Sequence, residues 1–141
     1  MGVKKNPMKR VRVEVTVIPL ILACLLVMCQ CSDDPLAPFQ PEVVSATDNF
    51  QLQATGVQNR TATLSYAWNN TGARATVNHS TTTTVGTARV TIEEAGGAQV
   101  YDKTLVPSLN DTTTAGSAGT WTIRLELSHY SGTLNFRVQK L

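Results

Sequence analysis

At 141 residues the chain has room for one domain of ordinary size. Its twelve basic and ten acidic residues give a formal net charge of +2, yet five of the basic ones precede residue 13, and beyond residue 30 seven basic residues face nine acidic ones. That balance excludes a basic nucleic-acid patch, and three cysteines confined to positions 24–31 exclude a disulfide framework for whatever folds behind them.

The first predicted element is a leader over residues 1–30. Lys4, Lys5, Lys9, Arg10 and Arg12 precede the apolar run "VTVIPLILACLLVM", Val15 to Met28. A basic head followed by roughly 7–15 apolar residues is the plan of a secretory signal peptide. A spanning helix needs about 20 apolar residues; this run is shorter, carries Pro19 and starts beside Glu14. The leader is therefore expected to form a signal helix, with Met1 or Met8 as its start.

Three cysteines lie in or just after that run: Cys24 in "ILAC", Cys29 in "LVMC" and Cys31 in "MCQC". With the acidic "SDDP" that follows Cys31, the region resembles bacterial lipoprotein signals, in which a leucine and small residues precede an acylated cysteine. The resemblance implies lipid attachment at Cys29 or Cys31. Cys24 ranks behind them, because its use would leave "LLVM" exposed on the mature chain. It also implies a membrane partner held through lipid and an address in the cell envelope, on the bacterial outer membrane or the periplasmic face. Ordinary cleavage and secretion is the alternative.

Residues 31–46 read as a tether. "SDDPLAPFQPE" has prolines at 35, 38 and 41, which fix φ and remove backbone donors, so an extended, solvated spacer of about 30 Å is expected.

From residue 47 to 141 the apolar positions repeat every second residue, the period of half-buried strands. "DNFQLQA" sets Phe50, Leu52 and Ala54 on one face, and "TATLSYAW" sets Ala62, Leu64, Tyr66 and Trp68. "ARATVNHS" and "TARVTIE" follow, then a glycine turn at "EEAGG" into "QVYDKTLV". "TWTIRLELS" aligns Trp121, Ile123, Leu125 and Leu127; "HYSG" is expected to turn, and "TLNFRVQK" to return with Leu134, Phe136 and Val138. About seven short strands in this length predict an all-β fold, an antiparallel β-sandwich of immunoglobulin-like or jelly-roll type. The ending from Ala118 to Lys140 is similar to the final hairpin of bacterial pre-peptidase C-terminal domains, small β-sandwiches appended to secreted enzymes.

No catalytic constellation is expected. His79 and His129 are the only histidines, on or beside different strands, and no local signature supports a nucleophilic triad. No metal motif is present; Glu93 and Glu94 before Gly96 read as a solvated hairpin tip, and Asp111 as a loop acid. No cofactor is expected. Trp68 and Trp121 share faces with aliphatic residues and read as core, which leaves Tyr101 and Tyr130, near turns, as the candidate ligand surface. The threonine runs 81–84 and 112–114 read as loops.

The function expected is that of a non-enzymatic envelope lipoprotein, a lipid-anchored β-sandwich with a binding or scaffolding role toward a protein or glycan partner. Two alternatives stand beside it. A carbohydrate-binding module predicts an exposed aromatic platform. A fibre or adhesin subunit predicts an accessible edge strand, for which the last strand is the candidate.

Overall fold

The structure, a computed structural model, describes Gly2 and residues 34–141. The expected signal helix and Cys24, Cys29 and Cys31 lie outside the described residues.

Seven strands follow one 3₁₀ turn, Ala37–Phe39. They are β1 (Glu42–Ala46), β2 (Asn49–Asn70), β3 (Ala75–His79), β4 (Thr82–Glu93), β5 (Gln99–Thr104), β6 (Leu109–Thr112) and β7 (Gly119–Lys140). Every pairing is antiparallel. The fold is an antiparallel β-sandwich, as the alternating pattern implied.

Two strands of 22 residues, β2 and β7, run through both layers. In the first layer β1 pairs with the first half of β2, which pairs with the second half of β7, then β3 and β6. In the second layer the other half of β2 pairs with the first half of β7, which pairs with β4 and then β5. Register shifts between Ala54 and Ala62 of β2, opposite Leu127–Leu134 of β7, mark where both strands change layers. Bulges of this kind bend a strand and let one chain serve two sheets.

Here the structure departs from the sequence reading. "HYSG" is not a turn, and Ala118 to Lys140 is not a hairpin: β7 continues through it. The buried positions of β7 are odd-numbered from Trp121 to Leu127 and even-numbered from Tyr130 to Val138. An odd insertion swaps the faces of a strand, so a bulge produces the same change of phase that suggested a turn. Nor is β7 an edge: β2 flanks one side, and β4 then β3 flank the other.

The expected tether is also partly folded. Leu36 is fully buried in the core, the 3₁₀ turn follows it, and β1 occupies Glu42–Ala46. Phe39 packs against the core, and the Arg60 guanidinium lies 5.1 Å from its ring centroid. Three prolines in this stretch shape a docked cap and not only a spacer.

Between the layers lie Phe50, Leu52, Val77, Val90, Ile92 and the inward residues of β7. Trp68 and Trp121 face each other across β2 and β7, edge to face at 5.8 Å. Each indole N–H donates to a carbonyl, Trp68 to Ala46 at 3.0 Å and Trp121 to Ser117 at 2.7 Å. Burying a tryptophan requires such a partner, and both have one.

Candidate functional site

The aromatic candidates turn inward. Tyr101 is 5% exposed and Tyr130 0% exposed, so neither offers a ring to a ligand, and the expectation of a surface at these two residues is corrected. Each follows the strand alternation into the core and satisfies its hydroxyl there: Tyr101 lies 3.0 Å from Nε2 of His79, and Tyr130 donates to the Thr82 carbonyl at 3.2 Å. Burial pushes both phenols above their ordinary pKa. Trp68 and Trp121 are 1% and 0% exposed. Among the described residues no Trp, Tyr or Phe is more than partly exposed, Phe39 and Tyr66 being half-buried, so the open stacking platform expected of a carbohydrate-binding module is not formed.

The other candidates are structural. Glu94 is nearly buried and accepts N–H bonds from Ala98 at 3.1 Å and Ser117 at 2.8 Å. Bonds from the backbone amides of Gly96, Ser117 and Ala98 hold its carboxyl at about 2. Its oxygens close the β4–β5 turn onto the loop before β7. Asp111 lies 3.9 Å from Lys103. His79 is buried and His129 exposed. Among the described residues no cluster of three or more His, Cys, Asp or Glu is arranged for a metal.

What remains is the outward face of each layer, and the two differ. On the second layer two ion pairs join neighbouring strands, while Glu126 has no ion-pair partner among the described residues. Arg89 of β4 donates to Asp102 of β5 at 2.6 Å, and Arg124 of β7 lies 3.4 Å from Glu93 of β4. A shallow groove of about 350 Å³ runs there beside Thr63, Thr87, Arg89 and Glu126.

The first layer carries carboxamides in rows. Residues directly opposite on paired strands share a face and stand roughly 4.5–5.5 Å apart. One row reads Asn49, Gln139, Thr76, Thr112; the next reads Gln51, Arg137, Asn78, Asn110; the third places Gln53 beside Asn135. These residues are half-buried or exposed, and the alternate positions on each strand supply the core. Side-chain bonds tie the rows together. Arg137 donates to Gln51 at 2.9 Å and Gln139 donates to Asn49 at 3.2 Å. A shallow groove of about 250 Å³ is lined by Gln51, Asn78, Ser80, Asn135 and Arg137.

This face escaped the sequence reading. Alternation marks outward positions only as polar; the signal lies in which polar residue. Asn and Gln recur at alternate positions of β2 (49, 51, 53) and at both ends of the outward set of β7 (135, 139), where the outward positions of the second layer carry mainly Thr, Ser and charged residues, with Asn69 and Gln99 as isolated carboxamides. Chemically, a carboxamide offers an acceptor and two donors in one plane. It gives up its hydration at less cost than an ion does. An array of them suits a ligand that presents many groups able both to donate and to accept.

No protein-family model matches this chain, and no curated protein sequence does. Among solved structures it is similar to the carbohydrate-binding module CBM6cm-2 of Cellvibrio mixtus lichenase 5A, in complex with cellotriose, at 18% identity over 72% of this chain and 86% of that one, with a TM-score of 0.41. It is also similar to the C-terminal CBM6 module of the marine laminarinase LamC of Zobellia galactanivorans, at 13% identity over 71% of this chain and 88% of that one, with a TM-score of 0.35.

Proposed function

We propose that this chain is a non-catalytic, lipid-anchored module of the cell envelope that binds a glycan on the amide face of its first layer. The observation that carries the reading is the grid of Gln51, Asn78, Asn135 and their neighbours around a shallow groove. Sugar hydroxyls both donate and accept, and a carboxamide answers each role without the desolvation cost of a charge. No aromatic platform is needed for this mode. Selectivity comes from the spacing of polar groups, because a buried polar group left unpaired costs more than a matched one gains.

The anchor half of the reading rests on the leader and on Cys29 and Cys31. Mass spectrometry of the mature protein is expected to find an acylated N-terminal peptide starting at one of these two cysteines. An unacylated N-terminus beyond residue 31 would overturn it.

For the binding half, titration calorimetry against a panel of soluble polysaccharides is expected to find a ligand. Its affinity should fall at least about tenfold in the double variant Asn78→Ala/Asn135→Ala, the loss expected when two hydrogen bonds worth about 1 kcal/mol each are removed. Thr87→Ala, on the outward face of the second layer, should bind as the parent does. An equal loss in Thr87→Ala would move the site off the amide face.

A further inference from the structure

Arg137 stands in the middle row of that face, between Gln51 and Asn78, and its side chain is exposed. Its charge is handled unlike that of most cations in the described residues. Arg89, Lys103, Arg124 and Lys140 each sit against a carboxylate, respectively Asp102, Asp111, Glu93 and Asp48. Arg60 stacks on Phe39. Arg137 meets instead the neutral Oε1 of Gln51 at 2.9 Å, and no described carboxylate pairs with it. The carboxylate sharing this face, Glu42, is opposite Gln53 on β1, in the next row. A guanidinium has five N–H donors in a rigid fork. One of its nitrogens bonds Gln51, and Arg137 is the charged residue of a groove whose other lining residues, Gln51, Asn78, Ser80 and Asn135, are uncharged.

We propose that the ligand of this face is an acidic polysaccharide, with a carboxylate or sulfate ester seated on Arg137 and neighbouring sugar hydroxyls on Asn78, Asn135 and Gln51. The inference rests on the glycan reading above and names the chemical class of its ligand. Gln51 acts as a positioning residue that holds the fork open toward the groove. Four of the seven described cations sit against a carboxylate, and Arg74, in the loop before β3, has none either. Arg137 is the one without a carboxylate partner that lines a groove, which makes this face complementary to an anion, and a planar fork favours a two-oxygen acceptor.

Carboxylate and sulfate share this chemistry, so three probes separate the sources: an oligogalacturonate, its carboxyl-reduced neutral counterpart, and a sulfated galactan oligosaccharide. Binding is measured on the mature chain by calorimetry at low and high salt. The oligogalacturonate or the sulfated probe should bind at least about tenfold more tightly than the reduced one at about 20 mM salt. That ratio should shrink toward unity near 0.5 M, as screening of an exposed charge requires. Arg137→Gln should abolish the ratio, Arg137→Lys should keep part of it, and Arg137→Glu should invert it, each checked for native circular dichroism. Equal binding of the reduced and acidic probes to the parent chain overturns the acidic ligand and leaves the glycan reading in place. If none of the three binds while a neutral glycan of the polysaccharide panel does, the acidic ligand falls and the glycan reading stands; if nothing in the panel binds either, both fall.

Discussion

Tyr101 and His79 meet across the two layers. The phenol comes from β5 and the imidazole from the end of β3, with the hydroxyl 3.0 Å from Nε2 and the rings edge to face at 6.0 Å. His79 Nδ1 has no hydrogen-bond partner, so the pair is the one polar group the imidazole finds in the core. Tyr101→Phe removes it and leaves the imidazole wholly unsatisfied. The expected cost is about 1–3 kcal/mol, the penalty for a buried polar group without a partner, read from urea unfolding at pH 7.5.

Burial also pushes the His79 pKa below its ordinary value, an effect that the nearby Asp111 partly offsets. The neutral imidazole is then the folded form. As pH falls below about 6.5, unfolded chains take up a proton that folded chains resist, and stability declines. A second acid limb follows at lower pH. The Lys140 ammonium, 2.7 Å away, and Thr71 hold the Asp48 carboxyl at about 2. Glu94 is held there as well by backbone amides. Both carboxylates contribute stability above their unfolded pKa values near 4, and that contribution is lost as pH falls from there toward 2. Unfolding midpoints should therefore drop in two steps. His79→Asn should flatten the upper one and Asp48→Asn part of the lower one, and an unchanged upper step in His79→Asn would contradict the assignment.

At the scale of the element, the long strands decide the architecture. β7 can switch layers because Gly132 sits where a side chain cannot: its φ is +148°, and a Cβ there would lie 2.0 Å from the Thr82 carbonyl oxygen. Gly86 on β4 faces the same bend, with φ +73° and a would-be Cβ 2.2 Å from the Ser128 carbonyl. Both clashes are with backbone, so no rotamer relieves them. Gly132→Ala should cost more than about 2 kcal/mol, the range of left-handed strain combined with a backbone clash. Thermal unfolding would check it, and a neutral result would mean that the bend relaxes.

This element shows how far the sequence could be read. The alternation from Trp121 to Leu127 and from Leu134 to Val138 gave both halves of β7 and their buried faces. What joins them was hidden, because a change of phase has the same appearance whether the chain turns back or bulges onward. Thr81 and Thr113 were hidden for a related reason. Each lies at a strand boundary, buried, with its hydroxyl in the ladder: Thr81 bonds the Asn135 carbonyl at 2.9 Å, and Thr113 accepts from the Ala75 amide at 3.1 Å. A threonine run gives no period from which to infer that. The amide face was legible in residue identity, not in pattern, and only the register of β2, β7 and β3 brings its rows together.

At the scale of the whole molecule, the sandwich is closed by its N-terminal cap. Leu36 is buried in the core, against which Leu64 and Tyr66 of β2 are only partly buried, and the Asp34 carboxylate accepts the Leu36 amide at 2.9 Å. The cap thereby shortens whatever spacing precedes it. A lipid on Cys31 would stand five residues from Leu36, at most about 18 Å of extended chain, where a tether reaching to residue 46 implied more. A docked cap and a slack tether make different demands on Leu36. If the cap is docked, Leu36→Ala opens a cavity in the core and should cost about 2–5 kcal/mol, which for a domain near 100 residues lowers Tm by roughly 10 °C or more. Glu42→Gln, a few residues on and exposed, should stay within about 0.5 kcal/mol. Were Leu36→Ala to melt with the parent chain, residues 34–39 would be peripheral to the fold, and the full length of the proline-rich stretch would again be available as a spacer.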